Sequence, residues 1–388
     1  RENYNLGLSQ SNHERTITGS QDNGTSIKTE NSWIEFYGAD GMEGIIHPLN
    51  DDWMIGSLQN GGRRRTKDGG QTQSGVTPSG QSGSWIAPLF YDPNDQMTVY
   101  HIGDSIYRSE NFGTSWTKLG TPSFNGTINY AAIAENNSSA LVVTRGANIE
   151  ISLDGGNTFI SIQQGLPNSS ITDVVFDPKN DSTIVVVYDT YQNNGQKVYM
   201  TNNQGSTWQN ITYNLGDMPV RSVVIDHTNA STIYLGTEIG VYKKAMASNS
   251  WSIYNPDLPN TSILELEVMY GSNTLRAATW GRGLWEFSLD GRQSFPSILT
   301  TQITDQPTDE FPLEGDDQFV TSVISYDNSI TSAYVEWSIN SPVFGNVIPM
   351  TNTIDSTWVS NFPIPNQLPG TKVFFKVLKR GTPSLPAN

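Results

Sequence analysis

The chain has 388 residues and no cysteine, which excludes disulfide bonds, thiolate metal ligands and cysteine nucleophiles. Its formal net charge of −16 and its pI near 4.6 argue against nucleic acid or an anionic membrane as a main partner. Charged residues make up only 15%, whereas glycine and aromatic residues are frequent. No apolar run reaches the roughly 18 residues of a membrane span. The profile predicts an all-β, turn-rich protein of the extracellular kind.

A turn of eight residues recurs along the first two thirds of the chain. Ser152–Phe159 is the clearest copy and has Asp-Gly-Gly between two strand-like runs. This sequence predicts a tight hairpin turn, because glycine takes positive φ without penalty. The other copies are Thr66–Gln73, Ser109–Trp116, Thr201–Trp208 and a degenerate Lys244–Trp251. The third positions, Asp68, Asn111, Asp154, Asn203 and Met246, follow each other at steps of 43, 43, 49 and 43 residues.

A second marker repeats at the same period. It is an acidic residue or a histidine, usually before proline, at positions His47, Asp92, Glu135, Asp177 and Asp226. Its steps are 45, 43, 42 and 49 residues. Two markers at one period in the forties indicate a true repeat of the size of a four-stranded propeller blade.

In chain order, the pattern predicts about seven blades, which together form a propeller domain at residues 1–291. The first predicted blade is 2–38, and the second starts after Gly41 and carries an insertion at 71–83. The third to seventh predicted blades are 85–120, 127–167, 170–216, 219–259 and 262–290. The fifth of these seven blades carries an insertion at 189–196. The seventh shows three strands, and closure of the ring would remove exposed strand edges.

After Asp290 the pattern changes. Prolines and acids predict a linker at residues 292–312, and alternating strands predict a small β-sandwich at 313–388 of the immunoglobulin or fibronectin type. The five predicted strands are Phe319–Tyr326, Ser332–Asn340, Asn346–Met350, Thr357–Phe362 and Lys372–Arg380. Because such a sandwich usually has about seven strands, we expect this domain to be incomplete at its C-terminus.

The octets resemble the Asp-box (BNR) motif, Ser-x-Asp-x-Gly-x-Thr-Trp, of sialidases, two-propeller xyloglucanases and sortilin-type (VPS10) propellers. Gly19–Thr25 and Ala278–Trp285 resemble sortilin-like propellers of exported proteins in Bacteroidota. The C-terminal region is similar to the Ig-like modules of type IX secretion substrates. The resemblance implies that Asp68, Asn111, Asp154 and Asn203 are structural residues on the outer rim, away from the face where ligands bind.

No motif identifies a catalytic centre. The Arg-Ile-Pro segment of sialidases, a nucleophile elbow and a zinc-binding His-Glu-x-x-His are absent, and the four histidines are scattered. A glycosidase needs two carboxylates. Asp22 and Asp40 are weak catalytic candidates that read more readily as turn residues, and Asp173 and Glu265 are further acids that could face a channel. We expect no cofactor and no metal site, with calcium left open for acidic clusters.

Two further groups of residues have alternative interpretations. Four tryptophans could form a face on which a sugar or peptide stacks, although packing between blades is the commoner role; they are Trp33, Trp53, Trp85 and Trp280. The run Arg63–Arg65 points alternately to both faces of a strand. At least one of these arginines is expected in a core or interface beside a carboxylate, and an anion site is the alternative.

We expect a secreted or cell-surface binding or scaffold protein that binds an extracellular glycan or protein with a propeller face. Its expected location is the extracellular space or the outer-membrane surface of a Gram-negative bacterium, with surface-complex or secretion-system proteins as further partners. The alternative is a polysaccharide hydrolase of the xyloglucanase type whose other propeller lies outside this chain. A third reading is a sortilin-like peptide binder that uses the central tunnel.

Overall fold

A computed structural model of the chain describes residues 2–29, 31–191, 195–226, 231–289, 297–304, 318–325, 330–340, 344–365, 367 and 373–381. Within these ranges the regular structure is β-strand, apart from a single 3-10 turn at Gln59–Gly61. The described residues contain no helix with the length and apolar character needed to cross a bilayer.

Residues 3–161 form four antiparallel sheets of four strands each. The first contains β1 Asn3–Leu8, β2 Thr16–Ser20, β3 Gly24–Lys28 and β4 Trp33–Tyr37. The second contains β5 Gly41–Ile46, β6 Met54–Leu58, β7 Arg63–Thr66 and β8 Ser74–Gly75. The third contains β9 Leu89–Asp92, β10 Asp95–Ile102, β11 Ile106–Ser109 and β12 Thr117–Lys118. The fourth contains β13 Tyr130–Ala134, β14 Asn137–Arg145, β15 Asn148–Ser152 and β16 Ile160–Ser161.

Three more sheets follow in chain order. The fifth contains β17 Ile171–Asp177, β18 Asn180–Tyr188, β19 Val198–Thr201 and β20 Gln209–Asn210. The sixth contains β21 Val220–Asp226, β22 Thr232–Thr237, β23 Gly240–Ala245 and β24 Ser252–Ile253. The seventh contains β25 Ile263–Met269, β26 Thr274–Thr279 and β27 Gly283–Ser288, three strands within the described residues.

These sheets pack face to face in chain order and close into a ring. Apolar clusters join consecutive sheets; one unites Val142 of the fourth with Ile184 and Val186 of the fifth, all fully buried. At the closure, Leu6 and Leu8 of β1 pack with Met269 and Ala278 of the seventh sheet. A β-bridge between Glu2 and Trp280 joins the same two sheets. The first strand of each sheet lines a central channel, and the arrangement is that of a β-propeller.

The octet turns connect the third and fourth strands of the second to fifth sheets, and they share one hydrogen-bond pattern. The hydroxyl of the first residue donates to the side-chain oxygen of the third at 2.7–2.9 Å and accepts the N–H of the fifth at 2.8–3.0 Å. The same oxygen accepts the N–H of the seventh residue at 2.8–2.9 Å. These bonds to the ionised form hold the pKa of Asp154 at about 2.

Asparagine replaces aspartate in two of the turns without a change of geometry. Asn111 and Asn203 donate through Nδ2 to the seventh-position hydroxyl at 2.9 Å, whereas Asp154 accepts from Thr158 at 2.7 Å. The fourth and fifth positions take positive φ in all four turns. At the fifth, a Cβ on Gly205 would lie 2.5 Å from the Cβ of Ile162, so glycine is required there.

In four of the five octets, the last residue is hydrogen-bonded to the preceding sheet, whereas Phe159 packs in the apolar cluster between the third and fourth sheets. The indole Nε1 of Trp116, Trp208 and Trp251 donates to a main-chain carbonyl of the preceding sheet at 2.7, 2.7 and 2.8 Å. Gln73, which stands in place of the aromatic, donates its amide to the carbonyl of Phe36 at 3.2 Å. In these four octets the position therefore serves as a hydrogen-bonded link between sheets.

A test of this role uses Ser152, whose buried hydroxyl is the acceptor for the buried Gly156 amide. We expect Ser152→Ala to lower the free energy of unfolding by about 1–3 kcal/mol, because an amide is left without a partner. Urea unfolding measures this, with the exposed Ser161→Ala as the matched control. Equal unfolding midpoints for the two variants would show that the octet bonds do not stabilise the fold.

The C-terminal strands form one six-stranded antiparallel sheet in the order β28-β29-β32-β31-β30-β33. Its strands are β28 Ser297–Thr304, β29 Phe319–Ser325, β30 Ile330–Ile339, β31 Asn346–Ile354, β32 Thr357–Ser360 and β33 Val373–Gly381. Val320, Ile324 and Val335 are fully buried in its core.

Part of the predicted linker at 292–312 belongs to this sheet. Ser297–Thr304 pairs with β29 along its whole length, so the linker prediction does not hold for these residues. The Ile and Thr residues of Ser297–Thr304 favour an extended strand. The prolines at 296 and 307 lie outside this range and do not interrupt it. The start of the predicted sandwich, at 313, lies outside the described residues.

The C-terminal sheet contacts the propeller at hairpins that follow two innermost strands. The Thr301 amide donates to the Ser11 carbonyl at 2.7 Å, after β1. The Ile298 amide and Lys379 Nζ donate to the Gly271 carbonyl at 2.9 and 3.0 Å, after β25. These contacts lie at the end of the channel where the innermost strands finish, so the opposite end stays uncovered by this sheet.

Candidate functional site

The central channel encloses a cavity of about 1210 Å³ lined by the innermost strands and the loops beside them. A smaller cavity of about 200 Å³ lies where those strands finish. We call the open end, where the strands begin, the mouth; it is lined by Tyr4, Trp85, Tyr130, Asp189, Arg221, Glu238 and Trp280. We call the constriction between the two cavities the floor; it is lined by Gln10, Tyr91, Glu135, Glu267 and Tyr270.

Large aromatic side chains are exposed at the mouth. Trp85, Trp280 and Tyr130 keep 48%, 39% and 36% of their surface accessible. The rings of Tyr4 and Trp280 lie with centroids 5.6 Å apart. Exposed aromatics beside a concave cavity are typical of binding surfaces, because they contribute much contact area at little cost in conformational entropy.

The loop between β8 and β9, which carries Trp85, is held by a buried arginine. Arg63 is 1% exposed and donates to the carbonyls of Ala87 and Pro88 at 2.9 and 2.8 Å, to the Ser57 hydroxyl, and to His101 Nδ1 at 3.0 Å. Burial lowers the pKa of its guanidinium to about 10, which leaves it charged. The sequence predicts a carboxylate partner within this arginine run. The structure gives Arg63 neutral hydrogen-bond acceptors, and the Glu43 carboxylate interacts with its guanidinium electrostatically.

Charge in the channel is strongly asymmetric. Among the described lining residues there are seven carboxylates and a single cation, Arg221. The carboxylates are Glu43, Glu135, Asp173, Asp189, Glu238, Glu265 and Glu267. Arg221 is already paired at the mouth, at 2.8 Å to both Asp189 and Glu238. Of the deeper five carboxylates, Glu43 and Glu267 interact electrostatically with Arg63 and Arg276, which are not part of the channel lining. Asp173 and Glu265 have no cation other than the paired Arg221 among the described lining residues.

Several deep carboxylates also bridge neighbouring innermost strands. Asp173 of β17 accepts the amide of Val223 on β21 at 2.8 Å. Glu265 of β25 accepts the amide of Leu6 on β1. Innermost strands of adjacent sheets do not pair with each other, so their amides that face the channel need such acceptors. These carboxylates thus have a structural role and still carry free lone pairs.

Enclosure by protein disfavours the ionised form of the deep carboxylates. They are half-buried by accessible surface, since they face the cavity, but the channel wall surrounds them on every side. Burial raises the pKa of Asp173 and of Glu135 to about 7. Burial and the neighbouring Glu43 raise the pKa of Glu265 and Glu267, and burial raises that of Glu43. Such groups can bind cations or donate a proton.

These shifts predict that stability falls as pH rises. Between the unfolded pKa near 4.3 and the folded values near 7 to 8, the folded state binds more protons than the unfolded chain, so the free energy of unfolding decreases with pH. Urea unfolding at several values between pH 5 and pH 8 measures the slope. We expect the double variant Glu135→Gln, Glu267→Gln to flatten it, and the exposed pair Glu35→Gln, Glu110→Gln to leave it unchanged. A slope shared by all three proteins would contradict the assignment.

The structure separates the four tryptophans singled out in the sequence. Trp85 and Trp280 line the channel. Trp33 lies on the outer strand β4, 45% exposed. Trp53 is 5% exposed in the core between the second and third sheets, where it packs on Phe112, so it cannot stack on a ligand.

The four acids considered in the sequence also fall into two groups, inside and outside the channel lining. Asp173 and Glu265 line the channel. Asp22 and Asp40 lie together in turns outside the lining, where the Asp22 amide donates to the Asp40 carboxylate at 2.8 Å. Asp22 takes a φ of 56°, as a turn residue does. Glu43 and Glu267 were not singled out by the sequence, since no motif surrounds them, and Glu135 was noted only as a repeat marker. Their position on or directly after innermost strands would have been the signal.

The histidines do not converge on a site. His47 is fully buried and accepts the amides of Leu49 and Asn50 at 3.1 Å. At the same repeat position, Asp92 and Asp177 each accept the amide of the residue two places further along the chain. His101 is bonded to Arg63, His13 lies beside Arg276, and His227 lies outside the described residues. In the part of the chain that the structure describes, no three His, Cys, Asp or Glu side chains are grouped so that they could hold a metal ion.

Comparison with known proteins supports a sortilin-like propeller. The profile of the Sortilin-Vps10 family, described as sortilin, neurotensin receptor 3, matches residues 104–251, which is less than half of the chain. No curated protein matches the chain in sequence.

Solved structures share the fold at low sequence identity. An ancestral GH74 enzyme is 14% identical, with a TM-score of 0.60 over 90% of this chain, and the chain spans 52% of that enzyme. YCF48 bound to D1 peptide is 11% identical, with a TM-score of 0.55, over 75% of this chain and 93% of that one. YCF48 from Cyanidioschyzon merolae is 13% identical, with a TM-score of 0.56, over 74% of this chain and 95% of that one.

Proposed function

We propose that the protein is a secreted or cell-surface binding protein that takes an extracellular protein or glycan at the mouth of its propeller channel. The observation that carries this proposal is a cavity of about 1210 Å³ flanked by exposed Trp85, Trp280 and Tyr130. The volume exceeds the roughly 300–1,000 Å³ of typical small-molecule sites, which suits a segment of a polymer. One of the similar solved structures, YCF48 bound to D1 peptide, is a protein of this fold in complex with a peptide.

The finer assignment of the fold belongs to the same proposal. Each of the seven sheets corresponds to one blade, and the octet turns to Asp-boxes on the outer rim. The C-terminal sheet supports an Ig-like module through its strand order. With β28 to β33 lettered A to F, the order is A-B-E-D-C-F, which contains the A-B-E-D and C-F neighbours of an immunoglobulin fold.

The proposed location is the extracellular space or the outer surface of a Gram-negative bacterium, reached by type IX secretion. This part rests on the sequence resemblance to exported Bacteroidota proteins at Gly19–Thr25 and Ala278–Trp285. Surface-complex or secretion-system proteins are the further partners that such a location implies. Calcium stays a prediction for acidic clusters on the surface.

A polysaccharide hydrolase of the xyloglucanase type is the alternative. Asp173 and Glu135, each with a pKa raised to about 7, have the acidity of a general acid. The likeness to a GH74 enzyme adds to this reading. Against it, both groups are engaged by the fold: Asp173 accepts main-chain amides, and Glu135 accepts the Tyr270 hydroxyl.

Arrays of glycans and of random peptides, together with an assay of reducing-sugar release from β-glucans, test the proposal. We expect a ligand on one of the arrays and no release of sugar. Sugar release that disappears in Asp173→Asn or Glu135→Gln would favour the hydrolase. The absence of any ligand on both arrays would contradict a binding function.

A further inference from the structure

The charge of the channel restricts what its occupant can be. Once Arg221 is paired with Asp189 and Glu238, Asp173 and Glu265 face the cavity with no other cation among the described lining residues. Glu43 faces the same cavity and has the buried Arg63 behind it. An anionic ligand would oppose ionisation of these carboxylates, and a neutral one would leave them without a counter-charge when they ionise. A cation would interact favourably with all three.

The wall also offers hydrogen-bond acceptors at this depth. Asp173 and Glu265 each accept a main-chain amide and retain further lone pairs. Ser222, 3% exposed and part of the channel lining, has a buried hydroxyl with no hydrogen-bond partner among the described residues. A buried polar atom without a partner is uncommon in native proteins, and a ligand group that reaches it would remove the deficit.

The floor closes the far end of this cavity. The Tyr270 hydroxyl and the Glu135 carboxylate are hydrogen-bonded, and these residues come from the seventh and fourth sheets, on opposite sides of the ring. Gln10 adds bonds to the carbonyl of Val268 at 3.2 Å and the amide of Tyr270 at 3.4 Å. A ligand that enters at the mouth therefore ends its path beside the carboxylates rather than threading through.

We propose that the ligand is a polypeptide that inserts a cationic group, either a lysine or arginine side chain or a free N-terminal amine, from the mouth into the ring of Glu43, Asp173 and Glu265. This inference rests on the proposed binding function and specifies its ligand. The mouth aromatics contact the segment that follows the inserted group, since they lie directly outside the carboxylates. Aromatic faces also favour cationic segments through cation–π attraction.

The test uses two synthetic probes with the sequence Lys-Lys-Gly-Ser-Gly-Ser-Gly-Ser and a C-terminal fluorescein. One has free amines, and in the other the N-terminus and both lysines are acetylated, which removes the charge and keeps the chain. Binding is measured by fluorescence anisotropy at about 150 mM salt, because this salt concentration screens long-range attraction by the acidic surface. We expect the cationic probe to bind about tenfold tighter or more, because buried charge pairs contribute strongly to affinity.

Matched variants localise the effect. The triple variant Glu43→Gln, Asp173→Asn, Glu265→Gln should weaken binding of the cationic probe about tenfold or more. The exposed triple Glu35→Gln, Glu110→Gln, Asp355→Asn removes the same number of carboxylates and should stay within about twofold. Because Asp173 and Glu265 also accept main-chain amides, Glu43→Gln alone provides a second variant, with an expected loss of about threefold.

Equal weakening by the channel and surface triples, or equal binding of both probes, would overturn the inference. Such a result leaves the proposed function standing if an array ligand still depends on the mouth tryptophans. If neither array yields a ligand, the proposed function itself fails.

Discussion

Arg63→Met is expected to cause the largest loss of stability of any single change at the mouth. The methionine leaves the carbonyls of Ala87 and Pro88 and the Nδ1 of His101 buried without a donor. Each lost partner costs about 1–3 kcal/mol, so we expect a decrease of about 3 kcal/mol or more in the free energy of unfolding. A lysine would not rescue it, because one ammonium cannot span the acceptors that a planar guanidinium reaches.

The same change should alter the mouth. Two further hydrogen bonds hold the loop between β8 and β9: the Asn60 amide donates to the Trp85 carbonyl at 3.3 Å, and the Asp104 amide donates to the Ser82 carbonyl at 2.6 Å. Without Arg63, we expect faster hydrogen exchange at Gly83 and Asp104 and weaker binding of any ligand that contacts Trp85. The exposed Arg64→Met is the matched control and should change neither quantity. Identical unfolding curves for the two variants would contradict this role of Arg63.

The second large effect concerns the closure of the ring. Arg276 of β26, 8% exposed, donates to the Thr16 hydroxyl at 2.8 Å, to the His13 carbonyl at 2.7 Å and to Glu286. The bonds to Thr16 and His13 join the seventh sheet to the first, whereas Glu286 belongs to β27 of the seventh sheet itself. Breaking a buried ion pair costs about 3–5 kcal/mol. Because Glu286 is partly exposed, we expect Arg276→Met to lower the free energy of unfolding by an amount at the lower end of this range.

Hydrogen exchange distinguishes this role from a general loss of stability. In Arg276→Met, the amides of Leu6 and Leu8 should exchange faster than those of the fourth and fifth sheets, because the ring opens first at its closure. The exposed Arg282→Met serves as the control. Uniform acceleration across all sheets would argue that Arg276 has no special part in closure.

Much of the fold was predictable because repeated local chemistry specifies it. The Ser/Thr, Asp/Asn and Gly positions of the octet have fixed hydrogen-bond partners within the turn, so their spacing counts sheets directly. Even Asn111 and Asn203 keep the pattern, since an amide oxygen accepts as a carboxylate does.

The candidate site was less predictable, because its residues depend on which side of a strand faces the channel. Asp173 and Glu265 were considered as channel acids, yet a bulge in each innermost strand, between Ile171 and Asp173 and between Ile263 and Glu265, sets their direction. Glu43 and Glu267 belong to no motif, and Glu135 belongs only to the second repeat marker, which says nothing about the channel. Two partners of Arg63, the carbonyls of Ala87 and Pro88, lie in the long loop between β8 and β9, whose path no periodicity describes. Strand β28 was missed because flanking prolines resemble those of a linker.

The most direct test of the central claim, that the mouth of the channel is the ligand site, compares two tryptophan variants on the best ligand from the arrays. Trp85→Ala with Trp280→Ala removes two mouth aromatics, whereas Trp33→Ala removes one of similar exposure on the outer strand β4. We predict that the double variant loses about tenfold or more in affinity, as truncation of buried aromatic contacts does, and that Trp33→Ala binds as the native protein does. Unchanged affinity in the double variant, or a loss confined to Trp33→Ala, would contradict the account.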